Sequence, residues 1–285
     1  MSTYIIAEIG INHNGDIDLA KELILKAKHG GCDAVKFQKR DIESVYSEEE
    51  LNTPRESPFG TTTREQKEGI EFDINQYKEL ESYSKQCGLD FIVSCWDLKS
   101  LDLVQENLDV KYHKIASAMA TDKTFLMELN KIKKPVILSV GMCTQVEVDR
   151  AMVILNNVKY ILACTSTYPT KAEEINLKYV ETLIERFPFT KVGFSNHYNG
   201  MDACVGAVAL GAECIEFHIT KERTMYGSDQ PASIQDVDDL VDGVRKMELM
   251  VGDGTKVVYD SEIPIAAKLR KVNDTILKQL NKEYL

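Results

Sequence analysis

Apolar and polar positions follow a repeating rhythm along the chain. Short runs rich in Val, Ile, Phe and Tyr recur, and each is followed by a stretch whose apolar residues repeat at helical spacing. The runs fall at residues 4–9, 34–38, 90–94, 112–115, 136–139, 160–163, 191–195 and 214–218. The helical stretches fall at 19–29, 75–87, 98–107, 123–129, 145–155, 177–186, 202–210 and 234–251, and Thr144 to Glu147 spells a capping box for the fifth. Eight strand–helix alternations with right-handed crossovers predict a (β/α)8 TIM barrel, with an open doubly wound sheet as the competing arrangement. The pattern assigns residues 1–254 to the barrel and 255–285 to a short C-terminal helical tail, too short to bury a core of its own. One connection breaks the rhythm. Residues 40–71 carry Pro54, Pro58, Gly60 and the threonines at 61–63, far more than a usual βα loop, and such a segment often forms a lid.

Period-two alternation along each strand then sorts the polar residues by face. His197 shares a face with Ser195, and His218 shares one with Glu216 and Cys214, each set opposite apolar neighbours. By the same parity Glu8, Lys36, Gln38 and Ser139 oppose apolar residues on their strands. Such residues converge on the barrel axis near the C-terminal strand ends, where barrel enzymes place their chemistry. Two imidazoles there would suit Mn²⁺, Zn²⁺ or Fe²⁺, with open positions for substrate oxygens. Lys36, Lys114, Ser117, Ser139 and Ser195 are donors of the kind that hold phosphate or carboxylate, and Glu8 is a candidate general acid or base. Plainer readings exist for each residue taken singly. A strand-end histidine can be a satisfied structural residue, a lone lysine can close a barrel-end ion pair, and Trp96 can stack on a ligand or plug a loop. The stretch from Ile9 to Asp16 can be a simple turn with Asp16 capping the next helix.

Composition narrows the partners. With 44% hydrophobic and 28% charged residues in 285, the chain can bury a large core. A formal charge of −11 opposes nucleic acid or anionic membrane as partner, so an anionic small molecule needs locally placed cations. The seven cysteines include no CxxC pair and most sit in apolar runs, so Cys32, Cys87, Cys164, Cys204 and Cys214 read as core hydrophobes of a protein kept in a reducing cytoplasm. Neither a targeting segment nor an apolar stretch of about 18 residues is visible.

The ordered motifs "IAEIGINHNGD", "AVKFQ", "KIASA", "LSVGM", "CTSTYPT", "GFSNH" and "GAVALGAECIEFHIT" closely resemble the sialic acid synthase family, the phosphoenolpyruvate-dependent nonulosonate synthases, over most of residues 4–254. The resemblance implies a TIM barrel that joins phosphoenolpyruvate to an N-acylated amino-sugar aldehyde by C–O cleavage, giving phosphate and a 2-keto-3-deoxy sugar acid. It also implies a divalent metal, Mn²⁺ or Mg²⁺. By position, His197 and His218 match the metal-binding histidines and Glu8 the catalytic glutamate. Lys36, Lys114, Ser117, Ser139 and Ser195 match phosphoenolpyruvate contacts, with Ser94 lining the same pocket, and Gln38, Tyr168 and Asp229 match positions that face the acceptor sugar. Departures from the family pattern are Ala163 where many members have His, Ser166 where some have Asn, and Thr63 where relatives often place an aromatic. Family members continue into an antifreeze-like domain that reaches across a swapped dimer and supplies an arginine for the N-acyl group. The expectation is therefore condensation chemistry with the acceptor shifted to a smaller or non-acylated aldehyde, in a homodimer or with a partner supplying that domain. The competing expectations are a pyruvate aldolase-type barrel and a non-catalytic scaffold.

Overall fold

The computed structural model describes residues 2–271. Eight parallel strands close into a barrel in strict chain order: β1 (Tyr4–Gly10), β2 (Ala34–Lys39), β3 (Asp90–Cys95), β4 (His113–Ile115), β5 (Val136–Ser139), β6 (Val158–Cys164), β7 (Lys191–Asn196) and β8 (Cys214–His218). The ring is sealed where β1 pairs with β8, setting Glu8 opposite His218. Closure settles the choice against an open sheet. Outside the strands run α1 (Ile17–His29), α2 (Ile74–Gln86), α3 (Leu98–Asn107), α4 (Lys123–Lys131), α5 (Gln145–Ile154), α6 (Lys178–Arg186), α7 (Asp202–Ala209) and α8 (Val237–Val251).

Local chemistry fixes where several helices begin. The Asp16 carboxylate accepts from the amides of Asp18 and Leu19 at the head of α1, and Thr144 and Glu147 form the expected reciprocal box at α5. The last helix starts at Val237 rather than 234 because Ile234 extends the sheet instead, bridging Ile219 beyond β8. Residues 40–71 are more ordered than a loop. They contain the short helices Ile42–Val45 and Glu48–Leu51, a hairpin of Pro54–Ser57 with Gly60–Thr62, and the helix Thr63–Ile70, capped by Thr62.

The chain divides into two compact units, Met1–Met250 and a second from Val251 onward. The second unit contains a turn at Asp260–Glu262 and the helix Ile263–Leu269; the remainder of the expected tail helix lies outside the described residues.

Two apolar cores hold the barrel unit. The larger lies between strands and helices and includes Val35, Phe37, Phe91, Leu138, Phe194 and Phe217. The smaller fills the barrel interior with Ile6, Ala34, Ile92, Tyr112, Ile137, Tyr160, Leu162 and Cys214, and Tyr4 packs against it. Tyr4 stacks on Tyr160 at 5.9 Å and meets Tyr112 edge-on at 5.6 Å, while its hydroxyl donates to Asp90 at 2.7 Å. Each interior row therefore changes character along its strand: Ile6 gives way to Glu8, Ala34 to Lys36, Ile92 to Ser94 and Cys214 to Glu216. An apolar floor supports a polar mouth. Ile137→Ala should open a void in that floor and cost about 2–5 kcal/mol, read as a lowered urea midpoint, with activity per folded molecule retained.

Candidate active site

The polar mouth encloses a cavity of about 170 Å³. Its lining includes Glu8, Lys36, Gln38, Ser94, Lys114, Ser117, Ser139, Ser166, Tyr168, Ser195, His197 and His218, so parallel strand ends gather residues far apart in the chain. Asp229 does not line it; it stands behind His218, with Oδ2 at 3.6 Å from the ring Nδ1. Glu216, Trp96, Cys164 and Met142 also line it, with Ala116 and Ala118.

Four buried charges dominate the interior. Lys36 Nζ lies 3.0 Å from Glu8 Oε2 and 3.6 Å from Glu216 Oε1, and Lys114 Nζ lies 3.7 Å from the same Glu216 oxygen. Ser195 donates to that oxygen at 3.0 Å, and Lys114 donates to Ser139 Oγ at 2.7 Å. Burial alone would push Glu216 up, but Lys114 and Lys36 outweigh it and hold the carboxyl at about 2. Burial raises Glu8, against the pull of Lys36 and Gln38, while the neighbouring Glu216 adds to the rise. Lys36 is raised because Glu216 and Glu8 outweigh the burial that opposes its charge; Lys114, with less carboxylate contact, is lowered by burial.

Gln38 orients Glu8, its Nε2 donating to Glu8 Oε1 at 2.5 Å. Gly10 makes the contact possible: at φ +57° a Cβ there would lie 2.9 Å from Glu8 Oε1 and 3.1 Å from Gln38 Nε2. A second pinch point is Gly141, where a Cβ would fall 2.3 Å from Ser166 Oγ and 2.9 Å from Ser117 Oγ. Its amide donates to Ser117 Oγ at 2.9 Å, so two hydroxyls and a close backbone form a small cradle of donors.

The imidazoles lie with ring centroids 5.3 Å apart. Thr165 O accepts from His197 Nδ1 at 2.7 Å; when the ring is neutral this leaves Nε2 as the lone-pair nitrogen, which then accepts from Tyr168 Oη at 3.0 Å. Burial lowers His218 to about 3, so it is neutral at ordinary pH, and its buried Nδ1 has no hydrogen-bond partner. Among the described residues no cluster of three or more His, Cys, Asp or Glu forms a complete metal cage.

Cys164 departs from the reading of it as a core hydrophobe. It ends β6 in line with Tyr160 and Leu162, whose alternation brings its sulfur to the cavity, 3.7 Å from His197 Nδ1 and from the hydroxyls of Ser117 and Ser166. Burial pushes the thiol up, but His197 and the two hydroxyls outweigh it and draw it to about 7, whereas burial raises Cys32 to about 12. His197 is raised in turn, because Cys164 and the Thr165 carbonyl outweigh its burial. The parity that selected His218 also selects Glu216, two residues earlier on β8; a carboxylate beside an anion pocket is the kind of residue that reasoning from ligand charge passes over.

A closed (β/α)8 barrel with paired lysines, hydroxyls, a buried carboxyl and two imidazoles at its mouth defines a barrel enzyme built for an anionic small molecule. The chain belongs to the NeuB family, whose model matches residues 23–256. It is 38% identical to N-acetylneuraminate-9-phosphate synthase of Mus musculus, over 94% of this chain and 76% of that protein. It is 37% identical to N,N'-diacetyllegionaminic acid synthase of Campylobacter jejuni, over 91% of this chain and 80% of that protein. Among solved structures, N-acetylneuraminic acid (sialic acid) synthetase from Leptospira borgpetersenii, in complex with citrate, superposes with a TM-score of 0.80 at 29% identity, over 95% of this chain and 94% of that one.

Two outcomes follow from the site's electrostatics. Glu216→Gln should keep the bond from Ser195 yet strand two buried ammoniums, costing about 3–5 kcal/mol at neutral pH by urea denaturation. Because folding depresses this carboxyl from 4.5 to about 2, its contribution is fully present above 4.5 and is lost as pH falls through about 2. The gap between wild type and variant should therefore close over that window. Separately, iodoacetamide at neutral pH should label Cys164 ahead of the buried Cys32, Cys95, Cys204 and Cys214, and phosphoenolpyruvate should slow that labelling.

Proposed function

We propose that this protein condenses phosphoenolpyruvate with the open-chain aldehyde of an amino sugar, forming a 2-keto-3-deoxy sugar acid and releasing phosphate by C–O cleavage. The observation that carries the reading is the pair Lys36 and Lys114 at the cavity base, flanked by Ser139, Ser195 and the Gly141–Ser117–Ser166 cradle. Two ammoniums and several hydroxyls match a ligand bearing both a carboxylate and a phosphate. Names of relatives support the reaction class, since the mouse protein makes a phosphorylated neuraminate and the Campylobacter protein a diacetylated legionaminate.

The bond changes balance as follows. C3 of phosphoenolpyruvate attacks the aldehyde carbon, the aldehyde oxygen takes a proton, water adds at C2, and the C2–O bond to phosphate breaks. Glu8, raised by burial and held by Gln38 and Lys36, is placed to take the proton from that water or to manage the proton of the new hydroxyl. Lys36 and Lys114 hold the anionic charge throughout.

The residues present fit a divalent cation. His218 lines the cavity on a ring kept neutral by burial, and His197 has one nitrogen committed to Thr165 and the other turned to the cavity. Mn²⁺ or Mg²⁺ held by His197 and His218, with Asp229 behind, would polarise the aldehyde oxygen. The chain's own groups do the rest.

The deciding assay follows phosphate release from phosphoenolpyruvate with Mn²⁺ across a panel containing N-acetylmannosamine, its diacetamido analogues, arabinose and short aldehydes. Acceptor-dependent release should fall at least about a hundredfold in His218→Ala, and calorimetric Mn²⁺ binding should weaken in parallel. Aldehyde consumption with pyruvate and no phosphate release would replace this reading with an aldolase.

A further inference from the structure

Away from the mouth, α4 and α5 wall a second hollow, of about 580 Å³, on the outside of the barrel. Its apolar lining includes Leu126 from α4 and Val146, Val153 and Ile154 from α5. A helix packed on one core turns polar residues outward, as α2 does with Asn75, Lys78, Glu79, Ser82, Lys85 and Gln86. On α5 the exposed positions are Val146, Arg150 and Val153, a single stripe at i, i+4 and i+7. Val153 is 82% exposed and Val146 57%, while Val148 and Ala151 on the other side of the same helix are buried in the core. So α5 is apolar on two sides, and the barrel covers only one of them.

Charge and spacing say what covers the other. Glu128 is taken by Lys131, Asp149 by Arg186 and Glu147 by the Thr144 cap, which leaves Lys123 and Arg150 without an ion-pair partner among the described residues. At about 3.6 residues per turn Arg150 falls in the middle of the exposed stripe, between the two valines, with Asp149 and Glu147 on opposite flanks. Such a stripe complements itself about a twofold axis. An antiparallel copy of α5 related by an axis passing between positions 149 and 150 sets Val146 against Val153 of the second copy, Val153 against Val146, and each Arg150 against Asp149. Apolar side chains then meet apolar ones, and each unpaired guanidinium meets a carboxylate. A parallel copy would set Arg150 on Arg150.

We propose that the outer face of α5 is a self-association surface, on which a second copy of this chain packs its own α5 antiparallel in that register. The inference does not depend on the synthase reading. A helix of ten residues is about 15 Å long, so the contact is small for a specific interface and dissociates in the micromolar range. Sedimentation velocity on the full chain should therefore show monomer giving way to dimer between about 1 and about 100 µM. Val153→Asp and Arg150→Glu should each raise the dissociation constant at least about tenfold. Circular dichroism and catalytic turnover should stay at the wild-type level in both, since neither side chain touches the core or the cavity.

A second measurement reads the register. Val146→Cys mixed with Val153→Cys should form, on mild oxidation, a disulfide between those two positions, identified by the mass of the linked peptides. Neither variant should link to itself, because like positions lie about 10 Å apart along antiparallel helices, beyond the reach of a disulfide. Monomer throughout the concentration range would overturn the inference and assign the face to a different partner. A dimer whose dissociation constant is unchanged in both Val153→Asp and Arg150→Glu would overturn it as well, placing the interface elsewhere. Self-linking of Val146→Cys in place of the mixed link would refute the antiparallel register.

Discussion

The mouth of this barrel depends on a buried balance of charge. Glu216 lies between Lys36 and Lys114, Glu8 completes the group, and the four formal charges cancel inside a wall of strands. Isolated ammoniums at such depth would lose their protons or their place. Glu216 keeps them charged and near the positions an anion must find, and a Ser195 hydroxyl bond holds it in turn. An anion entering there would replace one set of electrostatic partners with another, which would lower the reorganisation that binding demands.

That arrangement is possible because the interior is layered. Tyr4, Tyr112 and Tyr160 close one end, an aliphatic layer of Ile6, Ile92, Ile137 and Leu162 separates it from the mouth, and polar residues begin only where each strand ends. The apolar layers are thereby set apart from the polar mouth, and the long connection at residues 40–71 carries its short helices and hairpin outside the strand–helix repeat.

Much of this was legible in the chain. Strand spacing and alternation predict the closed barrel and the inward sides of Glu8, Lys36, His197 and His218, because a pleated strand has a fixed two-residue period. Cys164 and Glu216 obey the same rule, but a cysteine in an apolar run looks like core and a carboxylate looks wrong beside an anion, so residue type obscured position. Asp229 illustrates another limit: it reaches the site through a connecting segment whose path no periodicity encodes, and it meets the back of His218 rather than the cavity. Internal structure at 40–71 was similarly hidden, since its elements are too short for a periodic signal and are fixed by caps such as Ser47 and Thr62.

Tyr168 gives the mouth a further property. Its hydroxyl occupies His197 Nε2, and its ring touches both imidazoles, at 4.2 Å and 5.5 Å between centroids, while the side of the residue remains open to solvent. Whatever claims that nitrogen must first displace the phenol, so loading the site is an exchange of ligands rather than an addition. The displaced phenol, already at the rim, would then be a free donor to the cavity. The hydrogen-bonding character of His197 and of Tyr168 is thereby coupled through one shared bond.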